Sequence, residues 1–231
     1  MRLDKYLAHA TGLSRKDVKK ALHKSRVKID DQAIRNGAHK VVEGDAVMFD
    51  DQLITAPQKR YIMLHKPQGY VCSNDDPVHP TVAGLLEDEV RADELNIAGR
   101  LDADTTGLLL LSDDGQWLHR ITSPNHKLPK RYLVETADPI DPSTAERFAE
   151  GIELLSEKLP TKPAKLEQLS SHMAYLTLTE GRYHQVKRMF AATGNKVEEL
   201  HRDRIGAIAL DDTLALGEYR YLSQAEVDSL K

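Results

Sequence analysis

The sequence is poor in several features that define whole classes of protein. A single cysteine, Cys72, in 231 residues excludes an internal disulfide framework and fits a reducing cytoplasm. Aromatic residues make up 5% of the chain, with one tryptophan and three phenylalanines. No apolar run approaches the ~20 residues that a membrane-spanning helix needs, and no apolar segment follows the charged start Met-Arg-Leu-Asp-Lys as in a signal peptide. We therefore expect a soluble, cytoplasmic protein.

Charge is abundant and unevenly distributed. Charged residues are 29% of the chain, and the net charge is -4. Residues 1–49 nevertheless contain eleven Lys and Arg against six Asp and Glu, a net charge of +5, which leaves -9 for the rest. This asymmetry predicts a basic module that seeks a polyanion, attached to a body whose chemistry does not depend on bulk positive charge. The length also favours two domains.

The basic module has the pattern of two short helices followed by short strands. Ser14 is a good N-cap for the second helix, whose apolar stripe leaves four cations on the surface. These cations are Arg15, Lys16, Lys19 and Lys20. The pattern resembles the S4 RNA-binding domain, in which such a helix pair presents cations to RNA phosphates. We predict an S4-like domain over 1–49 and a linker over 50–59, where periodicity is lost and a proline occurs.

The remaining residues, 60–231, predict a larger domain in which strands and helices alternate irregularly. Residues 174–179 alternate apolar and polar side chains, as a half-buried strand does. The segment after Gly181 has helical spacing and ends near Gly194. Because the alternation lacks the regular rhythm of a doubly wound sheet, the fold class predicted for the chain is α+β.

Three segments of this domain carry candidate chemistry. Residues 99–114 place Asp102 in a polar turn directly before the apolar run Leu108 to Leu111, so that a strand presents one carboxylate at the rim of a cleft. Residues 130–134, Lys-Arg-Tyr-Leu-Val, place an aromatic ring in a strand. Residues 180–189, Glu-Gly-Arg-Tyr-His-Gln-Val-Lys-Arg-Met, place cations on a turn and a helix. Together these segments resemble the pseudouridine synthases of the RsuA family, and the resemblance covers essentially the whole chain.

The resemblance implies both a fold and a reaction. It implies an S4-like domain followed by a mixed, mainly antiparallel sheet. It also implies isomerisation of uridine to pseudouridine in small-subunit ribosomal RNA, at uridine 516 of the 16S rRNA. The reaction breaks the bond from N1 of uracil to C1' of ribose, turns the base and joins C5 to C1'. It calls for an ionised carboxylate, a dry pocket and a nucleotide extruded from its helix.

Site residues follow from the family's motif positions. Asp102 becomes the nucleophile or base, Tyr132 the ring that stacks on the uracil, and Lys187 the cation that keeps Asp102 ionised. Lysine departs from the arginine of many relatives and cannot form a bidentate fork. Leu200 would pack beneath the uracil, while backbone positioning or RNA contact falls to Arg100, Arg182 and Arg188. Taken alone, Asp102 could merely cap a turn, Tyr132 and Leu200 could be core, and the cations could be a solvated helix face.

Two other classes of function fit parts of the pattern. A binding-only ribosome-assembly factor would use the same RNA contacts without catalysis. A glycosidic hydrolase could use Asp102 and Asp104 as an acid and base pair. We expect no metal, because the ten histidines supply no ligand triad, and no organic cofactor, because an isomerisation needs neither an oxidant nor a group carrier. The expected partner is a small-subunit assembly intermediate, and the expected state is a monomer.

Overall fold

The computed structural model describes residues 1–42, 44–55, 58–73, 75–89, 91–123 and 128–230. The chain divides into two compact units, Met1–Lys59 and Arg60–Lys231. None of the helices in these described ranges is long and apolar enough to cross a membrane. Helices and strands occur in both units, so the predicted α+β class is confirmed.

The first unit packs two helices against a small antiparallel sheet. Its elements are α1 Leu3–Thr11, α2 Arg15–His23, β1 Val27–Ile29, β2 Gln32–Ala33, β3 Val47–Phe49 and β4 Gln52–Leu53, with strand order β2-β1-β3-β4. Ser14 caps α2, since its side chain accepts from the amide of Asp17 at 3.2 Å. The core is made by apolar side chains of both helices and of β1 and β3, among them Leu3, Leu7 and Val18.

The predicted linker, 50–59, is wrong in its first part. Asp50 and Asp51 have positive φ values of 50° and 62° and form the turn of a hairpin. The next two residues form β4, where Gln52 pairs with Phe49 and Leu53 with Met48. A two-residue turn with positive φ at both positions is the geometry that suits a twisted hairpin. This hairpin cannot be predicted from the sequence, because a strand of two exposed residues shows no alternation of apolar and polar side chains.

The second unit is built on one large sheet. Its strands are β5 Tyr61–Lys66, β6 Asn96–Ala98, β7 Thr106–Ser112, β8 Lys130–Thr136, β9 Lys165–Gln168, β10 Met173–Leu178, β11 Val197–Ile205, β12 Ile208–Ala209 and β13 Tyr219–Tyr221. Its helices are α3 Gly115–Thr122, α4 Thr144–Glu150, α5 Gln185–Ala191 and α6 Gln224–Asp228, with 3-10 turns at Val82–Leu86 and Ala92–Glu94. The order is β13-β5-β7-β11-β8-β10-β9, with β6 beside β7 and β12 beside β11.

Apolar periodicity accounts for much of this unit. Ala174, Leu176 and Leu178 are buried on β10, as their alternation predicts. Val186, Met189 and Phe190 are buried on α5. The rings of Phe148 and Phe190 meet edge to face, with centroids 5.2 Å apart, and so connect α4 to α5. The helix that carries Lys187 is therefore fixed on the sheet by its apolar face.

One strand pair at the centre of the sheet is parallel. Strand β7 pairs with β11 through His201 opposite Thr106 and Arg202 opposite Gly107, whereas the other pairings of the sheet are antiparallel. Strand β7 begins at Thr106, before the apolar run Leu108 to Leu111 that marks it in the sequence, and β11 continues to Ile205. Glycine is required at 107, where φ is +110°, because a Cβ would overlap the Arg202 carbonyl and lie 2.7 Å from its amide nitrogen.

Candidate active site

A cavity of about 840 Å³ opens beside the start of β7. The cavity wall brings together four of the residues that the sequence singles out, namely Asp102, Tyr132, Lys187 and Leu200. They come from a loop, two neighbouring strands and helix α5. All four belong to the second unit. Residues separated by nearly one hundred positions thus share one wall.

The loop that carries Asp102 is held from inside. The amide of Thr105 donates to the Asp102 carbonyl at 3.1 Å, which closes a turn immediately before β7. Beneath it, the fully buried Lys66 ammonium donates to three backbone carbonyls, those of Pro67, Ala103 and Thr105, at 3.0, 3.2 and 2.8 Å. Burial lowers the pKa of Lys66, since desolvation opposes its charged form. No sequence pattern predicts that Lys66 is buried beneath this loop.

Arg202 supports the same loop from the other side. Its side chain is 1% exposed, and its Nε donates to the Leu108 carbonyl at 2.9 Å. Its two terminal nitrogens reach the carbonyls of Gly99 and Arg100 at 3.1 and 3.5 Å. Arg202 lies within β11. Its two-residue spacing from the buried Leu200 is the signal that could have revealed an inward arginine.

A histidine ring and a lysine ammonium face the Asp102 carboxylate. His184 Nε2 lies 3.3 Å from Oδ1, and Lys187 Nζ lies 3.7 Å from Oδ2. The Asp102 side chain is 30% exposed, so the group is partly screened from water and still accessible from the cavity. The imidazole is the nearer of the two. No sequence motif predicts this contact, because His184 and Asp102 are distant in the sequence.

Lys187 is shared between two carboxylates. Its ammonium donates to both oxygens of Asp104 at 2.6 Å, which is closer than its approach to Asp102. Burial opposes the charged form of Asp104, but the hydrogen bonds and charge of Lys187 outweigh it, so the pKa of Asp104 is lowered. Asp104 therefore holds the ammonium in position while Asp102 faces the cavity.

Tyr132 and Leu200 give the cavity its apolar surface. Tyr132 lies on β8 opposite Arg202 of β11 and Leu176 of β10. It is half-buried and packs against two of the apolar clusters of the unit. Leu200 is 7% exposed and belongs to one of these clusters. A flat ring beside an aliphatic floor can hold a planar base by stacking and dispersion.

Other cations proposed from the sequence have different surroundings. Arg182 and Arg188, expected to face RNA, instead bind the backbone of the loop 155–160. Arg100 is exposed at the cavity wall, and its side chain makes no hydrogen bond or ion pair with the part of the chain that the structure describes. The four basic residues of α2 listed above are exposed on the first unit, where Lys20 pairs with Asp17 at 2.9 Å.

The described residues contain no cluster of three or more His, Cys, Asp or Glu side chains able to hold a metal ion. Cys72 is buried in the cavity wall, where its sulfur accepts from the amide of Leu101 at 3.2 Å. Burial raises the pKa of the Cys72 thiol. This environment suppresses the thiolate and makes Cys72 a packing residue rather than a nucleophile.

Comparisons with known proteins agree with this arrangement. The family model for RNA pseudouridylate synthase matches residues 60–192. Proteins named ribosomal small subunit pseudouridine synthase A are 54% identical in Vibrio parahaemolyticus and 53% identical in Escherichia coli K12, covering all of this chain and 99% and 100% of those relatives. A solved structure described as a crystal structure of pseudouridylate synthase is 52% identical over the whole of both chains, with a TM-score of 0.73. The resemblance inferred from the three sequence motifs is thereby confirmed, and the chain belongs to the RNA pseudouridylate synthase family.

Proposed function

We propose that this enzyme isomerises one uridine of small-subunit ribosomal RNA to pseudouridine, and that the target is uridine 516 of the 16S rRNA. The observation that carries the proposal is a single carboxylate, Asp102, which faces a cavity with an aromatic ring and is flanked by the imidazole of His184 and the ammonium of Lys187. The names of relatives 53% and 54% identical over the full chain support the choice of RNA.

Within this proposal each side chain has a role at a stated atom. Asp102 attacks the sugar or base, or removes a proton from the sugar, while the N1–C1' bond breaks. Tyr132 stacks on the detached uracil as it turns to present C5, and Leu200 packs beneath it. The C5–C1' bond then forms, the C5 hydrogen leaves, and N1 takes up a proton. Lys187 stabilises the carboxylate charge in a site from which bound RNA excludes water.

The first unit, in this proposal, is an S4-like RNA-binding domain. Its exposed Arg15, Lys16 and Lys19 contact phosphates and set the position of the enzyme along the RNA. Such contacts release counterions, so binding weakens as salt rises. We further propose that a monomer acts in the cytoplasm on an intermediate of small-subunit assembly.

The test is release of tritium from rRNA labelled at C5 of uridine. Wild-type enzyme releases tritium and leaves the RNA mass unchanged, and Asp102→Asn binds the RNA with similar affinity without release. Free uracil among the products would indicate a hydrolase. Absence of tritium release by the wild type, with RNA binding intact, would refute the synthase proposal. Sequencing of the product for pseudouridine locates the target, and any site other than 516 corrects that part alone.

A further inference from the structure

An exposed aromatic ring lies at the rim of the cavity. Tyr183 is 76% exposed although it contributes to the cavity wall. Leu155 and Leu159, on the loop whose backbone binds Arg182 and Arg188, are also exposed, at 91% and 72%. Large apolar side chains grouped in this way beside a functional cavity mark a binding surface more often than isolated exposed residues do.

Two arginines hold this rim in place. Arg188 donates to the carbonyls of Leu155 and Tyr183 at 2.6 and 3.1 Å and pairs with Glu157 at 2.9 Å. Arg182 donates to the carbonyls of Leu159 and Pro160 at 2.7 and 2.6 Å. The guanidinium groups that the sequence assigns to RNA are therefore used to order the rim before any ligand arrives, which reduces the entropy cost of binding.

One face of the Tyr183 ring is already covered. It stacks on His184 with a centroid distance of 3.9 Å and an interplanar angle of 19°. His184 in turn places Nε2 3.3 Å from the Asp102 carboxylate. His184 adopts φ 46° and ψ 38°, a left-handed conformation, at the residue that precedes α5. The two rings thus form a stack that begins beside Asp102 and ends in an open face at the rim.

We propose that the open face of Tyr183 stacks on the base of a nucleotide adjacent to the target uridine. This inference rests on the proposed function, because it requires an RNA whose target uridine lies at Asp102. A nucleotide one sugar–phosphate unit away must then pass the rim. Extrusion of the target removes a stacking partner from its neighbour, and an aromatic side chain can replace that partner. Arg100 and Lys162, also at the cavity wall, make the surroundings favourable for a polyanion.

The proposal makes Tyr183 a substrate-binding residue that contacts a flanking nucleotide. Enzymes that extrude a base select sequence context partly through contacts to the flanking nucleotides. A ring with one free face tolerates any base but requires that a base be present. The test therefore removes the base rather than changing it.

The experiment compares three synthetic rRNA fragments, one intact and two with an abasic site on the 5' or the 3' side of the target. Wild type, Tyr183→Ala and Tyr183→Phe are assayed as full-length proteins for pseudouridine formation by chromatography of nuclease digests. Tyr221→Ala is a matched control, because Tyr221 is 52% exposed in the same unit and is not part of the cavity wall. Thermal unfolding verifies that each variant is folded.

For the wild type, we expect one of the two abasic fragments to raise KM about five- to hundredfold. Tyr183→Ala shows a comparable KM increase on the intact fragment and little further increase on that abasic one. Tyr183→Phe responds to the missing base as the wild type does, and Tyr221→Ala leaves every KM unchanged. Equal abasic effects in wild type and Tyr183→Ala, or none in the wild type, overturn this inference alone. A wild type inactive on the intact fragment overturns the proposed function as well.

Discussion

The buried Lys66 ammonium predicts a large and specific loss when it is replaced by methionine. Methionine has a similar length and no donor, so Lys66→Met leaves three carbonyls around the site without their partner. A buried acceptor without a partner costs about 1 kcal/mol or more. Three acceptors without partners lower the free energy of unfolding by about 3 kcal/mol. This lower bound allows for the desolvation penalty of the ammonium, which the substitution removes together with the charge. For a unit of this size, that corresponds to a fall in Tm of about 6 to 12 °C.

The assay is thermal unfolding followed by tryptophan fluorescence. Trp117 is the one tryptophan of the chain and is fully buried in the second unit, so its emission reports on that unit. Lys196→Met is the matched control, because Lys196 is 74% exposed and pairs with Glu198 at the surface. Such an exposed pair contributes about 1 kcal/mol at most. We expect its Tm to stay within about 4 °C of the wild type.

Catalysis supplies a second measurement on the same variant. Lys66 does not touch the reacting atoms, but it fixes the loop that contains Asp102. A displacement of about 1 Å in a reacting group can reduce the rate about 100-fold. We therefore expect kcat of Lys66→Met to fall by about that factor at a temperature where the variant is folded. A variant that unfolds with the wild type and retains its kcat would show that the three hydrogen bonds do not hold the loop.

Three further predictions concern the sheet, its last helix and the ammonium at the site. Gly107 has a φ of +110°, and Gly107→Ala places a Cβ against the backbone of β11, so it destabilises the second unit by about 3 kcal/mol or more in urea unfolding. Gly181→Ala, which has open space around its Cβ, serves as the control. Hydrogen bonds from Arg220 lower the pKa of Glu226 to about 2. The stabilising contribution of Glu226 is therefore present above about pH 4.5 and is lost as pH falls through about 2. Glu226→Gln lowers the free energy of unfolding by on the order of 2 kcal/mol at pH 7. A loss of stability in this variant that persists near pH 2 contradicts the assignment. Lys187→Met lowers kcat about 10- to 100-fold with little change in RNA affinity, because it removes a charge 3.7 Å from the Asp102 carboxylate. Lys187→Arg keeps the charge and retains part of the rate. Equal rates for the two variants would exclude a charge effect.

Local periodicity predicts the elements of this protein better than it predicts their ends. The burial of Ala174, Leu176 and Leu178 on β10 follows directly from alternation. The N-cap at Ser14 follows from its side chain and the apolar stripe behind it. The start of β7 at Thr106 cannot be predicted in this way, because it depends on the contact of Gly107 with the backbone of Arg202, 95 positions later in the chain.

The site shows the same division between local and distant information. Motif positions place Asp102, Tyr132 and Lys187, which the fold brings to one cavity. The hydrogen bonds of Lys66 and the approach of His184 to Asp102 depend on loops distant in sequence, so no window of the chain contains them. The sequence predicts RNA contacts for Arg182 and Arg188 because a cation in a turn or on a helix looks free until the loop that accepts its hydrogen bonds is known.

The parallel pairing between β7 and β11 has a consequence for synthesis of the protein. A nascent chain that has emerged up to residue 190 contains Asp102, Tyr132 and Lys187 but lacks the strand that joins β7 to β8. The first unit is complete in sequence long before that point. During translation the first unit can therefore fold before the site in the second unit is assembled, which waits for residues 197–205 to leave the ribosomal tunnel.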